Sequence, residues 1–399
     1  MRRRDALALL AAPALTTPPA VAAIGAARAQ EAPAWRVGAL FPLSGPAALL
    51  GDEAVRGLEL AVEAANAANG RRVRLLRADT PDAAAALDAA RRLVRDEGVN
   101  LLFGSVNAAV GTAARQAAAA LNCLFVELAC PADSLLQGGG GRFIRSAPGA
   151  AQVGLIAALA LRHFLPDHLQ LAPDAMRVVL LHETGQDHAG VAEAMASAMA
   201  GAGLPAPERL THAPRSGEWP VLVQRLRAAR AEVVVHACGE GDIGPLVRAL
   251  GEAGWRPRAL IGVGPAWGLV DVARSLEPAL DGCFAIDMPP IRSAAGWARG
   301  AAGFAEEYLR RWGSPPRSGL SLAAYAAARV VLGAGQTTPG RLRAALGTLE
   351  RPRGSLANGW GWRLAERGQN HRALPALLQW QAGRAVAVFP EAVAAAPAV

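Results

Sequence analysis

The strongest constraint on this chain is a rhythm that occurs twice. Short, nearly continuous apolar runs at 36–43, 73–79, 101–105 and 123–128 alternate with alanine-rich stretches, and a second set follows at 177–183, 232–238, 259–264 and 283–287. Helical patterns lie between them at 52–68, 83–96, 110–121, 190–202, 220–230 and 243–253. A strand that is apolar on both faces must be covered on both faces. Its alternation with helices of roughly 10–15 residues predicts parallel sheets flanked by helices. Residues 52–68 show the logic: Val55, Leu58 and Val62 share one stripe, while Glu53, Arg56 and Glu63 lie off it. A chain of 399 residues is long for one domain. The doubled series therefore predicts an α/β fold of two doubly wound parallel-sheet lobes, with a seam near Gly138 to Gly141 and 143–150. The tail breaks the pattern: 359–363, 374–381 and 385–389, with Gly383 at a turn, predict short antiparallel strands. In open parallel sheets ligands sit beyond the carboxyl ends of the strands, so two lobes can face those ends across a cleft.

Composition narrows the chemistry. None of the 41 basic residues is lysine, which excludes a Schiff base or a phosphate-loop lysine. The net charge of +8 falls to +5 beyond residue 29, because Arg2, Arg3, Arg4 and Arg28 oppose only Asp5 before it. The other arginines are scattered singly or in pairs, without the basic stripe that a nucleic acid requires, and no nucleic-acid partner is expected. The three arginines, the apolar run 6–15 and the small residues up to Ala29 predict a twin-arginine-like export signal over 1–29, cleaved near Ala29. Pro13, Pro18 and Pro19 interrupt that run, well short of the ~20 apolar residues that span a bilayer. The expected location is periplasmic.

Catalytic signatures fail one by one. Gly239-Glu240-Gly241-Asp242-Ile243-Gly244 is formally G-x-G-x-x-G between a strand and a helix, but its two carboxylates would repel a pyrophosphate. No G-x-S-x-G occurs, and His182-Glu183 opens an H-E-x-x-H that lacks its second histidine. The chain is read as a non-enzyme with no cofactor and no metal. Cys123 and Cys130 bracket an extended run, which holds them about 20 Å apart, too far for a disulfide. A Cys130–Cys238 bond would bolt two lobes together. A Cys238–Cys283 bond is conceivable, and buried free thiols are the expected state.

The order of motifs resembles a known family. VGALFPLSGP at 37–46, Gly51-Asp52-Glu53, GLELAV at 57–62, Asp79-Thr80, Phe103-Gly104-Ser105, Gly254-Trp255 and AVAVFP at 385–390 look like type I periplasmic binding proteins. These are the solute receptors of ABC importers for branched-chain amino acids and amides. The resemblance implies three crossovers, near 147–150, 287–289 and 353–355. One lobe would comprise 36–148 and 288–353, the other 149–287 and 354–390. It implies an exported, monomeric receptor that closes on a small-molecule ligand through a hinge and presents the closed form to ABC permease subunits. A sensory receptor of the same fold, or an exported enzyme, are the alternatives.

Carried over by position, the resemblance implies ligand contacts at Ser44, Ser105, Asn107, Ala108, Ala129 and Cys130 in the first lobe. In the second it implies Asp187, Gly239, Glu240 and Trp267. Helix-end N–H groups and hydroxyls would hold a carboxylate or carbonyl, and an aromatic would cap the apolar part. Amino-acid receptors of the family place Ser or Thr where this chain has Ala108 and Pro131, and Tyr where it has Asp187 and Gly239. They also place a carboxylate near Gly264. The anion site is thereby weakened, which argues against a free zwitterionic amino acid. Glu127, Asp187, Glu240 and Asp242 would form an acidic mouth suited to an amide, amine or polyol; for Glu127 and Asp187 a helix-capping role is the alternative. Trp267 reads equally as a stacking residue or a core residue, and Trp360 and Trp362 as packing residues.

Overall fold

The computed structural model describes residues 34–68, 72–138 and 141–399, so the export signal read at 1–29 and part of the glycine seam lie outside the described residues. The first half of the chain forms β1 (Trp35–Phe41), α1 (Ala48–Ala67), β2 (Val73–Asp79), α2 (Ala83–Arg95), β3 (Leu101–Gly104), α3 (Ala108–Ala120), β4 (Leu124–Glu127) and β5 (Phe143–Arg145). Then follow α4 (Ala150–His163), α5 (Leu165–Leu169), β6 (Val178–Glu183), α6 (Gln186–Gly201), β7 (Glu208–His212), α7 (Trp219–Ala228), β8 (Val233–Ala237) and α8 (Glu240–Glu252). The remainder is β9 (Ala259–Val263), α9 (Val270–Ser275), β10 (Phe284–Asp287), α10 (Ala301–Trp312), α11 (Gly319–Leu332), α12 (Pro339–Thr348), β11 (Ala376–Gln381) and β12 (Arg384–Phe389).

These strands build two sheets. One has the order β2-β1-β3-β4-β5 and is wholly parallel. The other has the order β12-β11-β10-β9-β8-β6-β7, parallel from β10 to β7, with β11 and β12 joined antiparallel at its far edge. The two parallel-sheet lobes expected from the doubled series are present. Strands β3, β4, β8 and β9 are buried along their whole length, as continuous apolar runs require. Two strands carried no apolar signal. β7 (ERLTH) is a mostly exposed edge strand, and β5 is only three residues long. The stretch 359–363 joins neither sheet. Trp362 makes an isolated bridge with Arg351, and the buried indoles of Trp360 and Trp362 donate to the Leu374 and Leu346 carbonyls at 2.7 and 3.0 Å.

Helices α10 to α12 come late in sequence but pack on the first sheet's layer, α11 lying along α1. Close approach is possible because α1 carries Gly57, where a Cβ would sit 2.1 Å from the Ser321 carbonyl oxygen. The fully buried Glu53 carboxyl locks the contact, accepting from Tyr308 Oη at 2.7 Å, Ser321 Oγ at 2.6 Å and the Arg317 N–H at 3.0 Å.

A second buried carboxyl shapes the carboxyl edge of the first sheet. Glu127, at the end of β4, accepts through Oε1 from the N–H groups of Ser105, Leu128, Ala129 and Cys130 at 2.8–3.0 Å. Its Oε2 lies 2.8 Å from Ser105 Oγ, which is itself 3.0 Å from the Asn107 carbonyl oxygen. Ser105 has one hydroxyl proton and Asn107 O can only accept, so a protonated Glu127 giving its proton to Ser105 satisfies every atom. Burial, which raises the Glu127 pKa despite the N–H bonds that lower it, favours the same state. At the end of β10, Asp287 is buried with Oδ2 unpartnered, and burial raises its pKa to about 7. Gly268 leaves it room, since a Cβ there would lie 2.1 Å from Oδ2.

Glu127→Gln keeps both an acceptor and a donor and is expected to melt close to wild type, whereas Glu127→Ala strands buried N–H groups and should cost about 2–4 kcal/mol in chemical denaturation. Equal losses in the two variants would remove the protonated-carboxyl account. Asp287 has a folded pKa above its unfolded one. Its contribution is therefore complete only below about pH 4, where the unfolded group is protonated too, and is lost as pH rises from there through about 7. Asp287→Asn should match wild type below about pH 4 and exceed it progressively up to about pH 8, by on the order of a few kcal/mol; parallel stability–pH curves would refute this.

Candidate functional site

The carboxyl ends of β3, β4, β6, β8 and β9 converge on one cavity of about 810 Å³, lined from both sheets. The first sheet's side consists of the starts of α1, α2 and α3 and the loop after β4, including Asp82, Asn107, Ala108, Thr112 and Cys130. The second sheet's side consists of Glu183 at the end of β6, the first turn of α6, the Cys238-Gly239-Glu240 entry to α8, and 263–266 after β9. Local sequence explains these helix starts. Asn107 accepts from the Val110 N–H as N-cap of α3, and Asp82 accepts from the Ala85 N–H as N-cap of α2.

One hydrogen bond spans the cavity. The Ala108 N–H, at the positive end of α3, donates to Asp187 Oδ2 at 2.6 Å from the first turn of α6. Behind it, Glu183 Oε2 accepts from the Gly239 N–H at 3.1 Å and lies 3.8 Å from His188 Nδ1. Burial raises the Asp187 pKa; the Ala108 bond and His188 offset that, and Glu183 adds to it. Burial likewise raises Glu240, with Glu183 adding to the shift. His188 is lowered, chiefly by burial, and so favours its neutral form.

The wall beside Glu240 has a directional relay. His212 Nδ1 lies 2.9 Å from the Ala213 carbonyl oxygen, which can only accept, so Nδ1 carries the proton and, in the neutral ring, Nε2 accepts. His236 Nε2, 3.0 Å away, is then the donor, and its Nδ1 takes the Cys238 thiol proton at 3.5 Å. Burial drives His236 well below its ordinary pKa and Cys238 well above, so both are neutral. The thiol proton points at His236, into the wall.

The structure brings six of the ten sequence-derived site residues together on the cavity: Asn107, Ala108, Cys130, Asp187, Gly239 and Glu240. Ser105 and Ala129 stand behind the surface, bound to Glu127. Ser44 is exposed outside the cavity, its N–H on Asp79. Trp267 is fully buried beneath the floor, because Gly262 leaves space only its indole fills and His236 meets the ring edge-on at 5.8 Å. Of the expected acidic mouth, Asp187 and Glu240 line the cavity. Glu127 and Asp242 turn inward, Asp242 accepting from the Arg215 N–H at 3.0 Å. Glu183 and His188 were missed; Glu183 ends a strand correctly read to that residue, and position alone could have nominated it. Gly241 and Gly244 lie within helix α8, not in a phosphate loop. All four cysteines are buried and free. Among the described residues no His, Cys, Asp and Glu group could hold a metal ion, and no helix is long and apolar enough to cross a membrane.

The sequence profile of the periplasmic binding protein family matches residues 34–384. A Leu/Ile/Val-binding protein homolog 7 from Brucella abortus is 30% identical over 382 residues, covering 94% of this chain and 96% of its own. Among solved structures, a leucine-binding protein from Thermotoga maritima superposes with a TM-score of 0.76 at 18% identity, covering 90% of this chain and 98% of its own. A solute-binding protein of an ABC transporter from R. palustris, in complex with benzoate, gives 0.72 at 19% identity, covering 92% and 98%. With two parallel-sheet lobes, a cavity at their strand ends and a family match over nearly all the described residues, the chain belongs to the periplasmic binding protein family.

Proposed function

We propose that this chain is the exported substrate-binding receptor of an ABC importer, holding a small polar solute between its lobes and closing on it about a hinge. The observation that carries the reading is the cavity at the strand ends of both sheets, bridged by the Asp187–Ala108 bond. Contacts made only when the halves approach are what a ligand needs to bias a closed state over an open one. The lobes are assigned as 36–148 with 288–353 and 149–287 with 354–390, joined by crossovers near 147–150, 287–289 and 353–355. The segment 361–370 of the second assignment leans back on β5, where Gln369 bridges Arg145. The receptor is read as a periplasmic monomer, delivered by the segment 1–29 and docking on permease subunits. The Brucella relative carries the name of a binding protein.

Native mass spectrometry of the protein recovered from a periplasmic fraction is expected to find one small solute per chain, whose removal lowers Tm by several degrees. Ligand-free mass together with an unchanged Tm would count against the receptor. The bond from Asp187 to Ala108 is charge-assisted and worth roughly 1.5–3 kcal/mol. Asp187→Ala should therefore shift the ligand-free ensemble at least about tenfold toward the open form, read as a larger radius of gyration in small-angle scattering. Superimposable curves would sink hinge closure through this bond.

A further inference from the structure

The charge arrangement of the cavity goes beyond the identity of the fold, and the following rests on the receptor reading above. Four carboxylates line the cavity, those of Asp82, Glu183, Asp187 and Glu240, and no arginine lines it; the chain has no lysine at all. The ionisable base on the wall, His188, is held toward its neutral form by burial. The remaining side-chain donors, including Asn107, Thr112 and Gln116, are uncharged.

Helix ends lead to the same conclusion by a separate route. A helix N-terminus attracts an anion through its unpaired N–H groups and its dipole. Four of the five long helices that open on this cavity already have a carboxylate of the protein at that end; α1, which follows Ala47 and has no acidic residue in its first turn, does not. At α2 it is the N-cap Asp82, bonded to the Ala85 N–H. At α3 it is Asp187, reaching across from the other lobe to the Ala108 N–H. At α6 Asp187 itself lies in the first turn, and at α8 Glu240 and Asp242 do. The N–H that precedes α8, on Gly239, is taken by Glu183. A ligand carboxylate docking at α3 would have to displace Asp187 from Ala108, and it would then face Glu183 and Glu240; Arg215, which offsets the rise of the Glu240 pKa, does not itself line the cavity. A positively charged ligand meets the reverse situation. It gains two or three carboxylates within a low-dielectric enclosure and displaces nothing, and the Asp187–Ala108 bond can persist beside it.

We infer that the cleft takes a small organic cation lacking a carboxylate, an amine, amidine or guanidine, and that Asp187 is the specificity-determining residue, its carboxylate standing where a ligand carboxylate would otherwise dock. This separates the chain from the R. palustris structure, whose bound ligand, benzoate, is an anion. Apolar surface from Leu50, Val106, Val191 and Val263 leaves room for the ligand's hydrocarbon part.

The test is a charge-sorted panel of small solutes offered to the purified full receptor, read by thermal shift and then by calorimetry. The panel contains primary amines, amidines and guanidines, the zwitterion leucine, and the anions benzoate and 4-methylpentanoate. Stabilisation confined to the cations, with the best cation losing at least about tenfold in affinity in both Asp187→Asn and Glu240→Gln, is the expected result. Asp187→Ser frees the Ala108 N–H and should bring in a response to benzoate that wild type lacks. Stabilisation of wild type by leucine or benzoate, or cation binding indifferent to both carboxamide variants, overturns the cation assignment while leaving the receptor standing. Silence from every class overturns the receptor reading, and the assignment with it.

Discussion

The buried carboxyl of Glu127 is the interaction on which the geometry of the cleft depends. The loops that leave β3 and β4 carry unpaired backbone N–H groups into a region closed to water, where each unmet donor would cost on the order of a kcal/mol or more. One side chain meets three of them, those of Ser105, Ala129 and Cys130, shares the Leu128 N–H with the Gly104 carbonyl, and engages the Ser105 hydroxyl as well. Ser105 leads directly into Asn107, the N-cap of α3, so the direction in which α3 presents its first turn follows from the same group. Without that orientation the Ala108 N–H would not meet Asp187, and nothing would bridge the two sheets' faces of the cavity.

The second wall is organised by different means. Strand β8 delivers His236 and Cys238 from a fully buried run, and the pair of imidazoles passes one proton direction from the thiol to the Ala213 carbonyl. His236 and Cys238 are thereby satisfied without charge, which is the only inexpensive way to bury them. Charge is left to the carboxylates at the helix starts. A periplasmic binding protein scaffold, with its apolar floor and polar rim, is thus given an electrostatic character that its fold does not dictate.

Much of the architecture was legible because parallel strands must be apolar on both faces. β2 was read to the residue, and β3, β4, β6, β8, β9 and β10 to within about a residue or two, since the apolar run and the strand coincide. β7 was hidden because an edge strand with exposed faces needs no apolar run, and β5 because three residues are too few to show a period. The site was partly legible. Positions carried over from the family resemblance named Asn107, Ala108, Cys130, Asp187, Gly239 and Glu240, which line the cavity. Trp267 was ambiguous because an aromatic after a strand can turn either way. The absence of a side chain at Gly262 draws it inward, and that pairing is a three-dimensional fact.

The sequence by itself determined that two covered parallel sheets would form, that lysine chemistry was unavailable, and that carboxylates would gather at strand ends. Those properties follow from periodicity, composition and position along the chain. Tertiary structure alone decided which carboxylates serve the fold and which face the cleft. Glu127 and Asp242 differ from Asp187 and Glu240 in nothing that residue type records; they differ in the N–H groups that the packed loops happen to bring within reach.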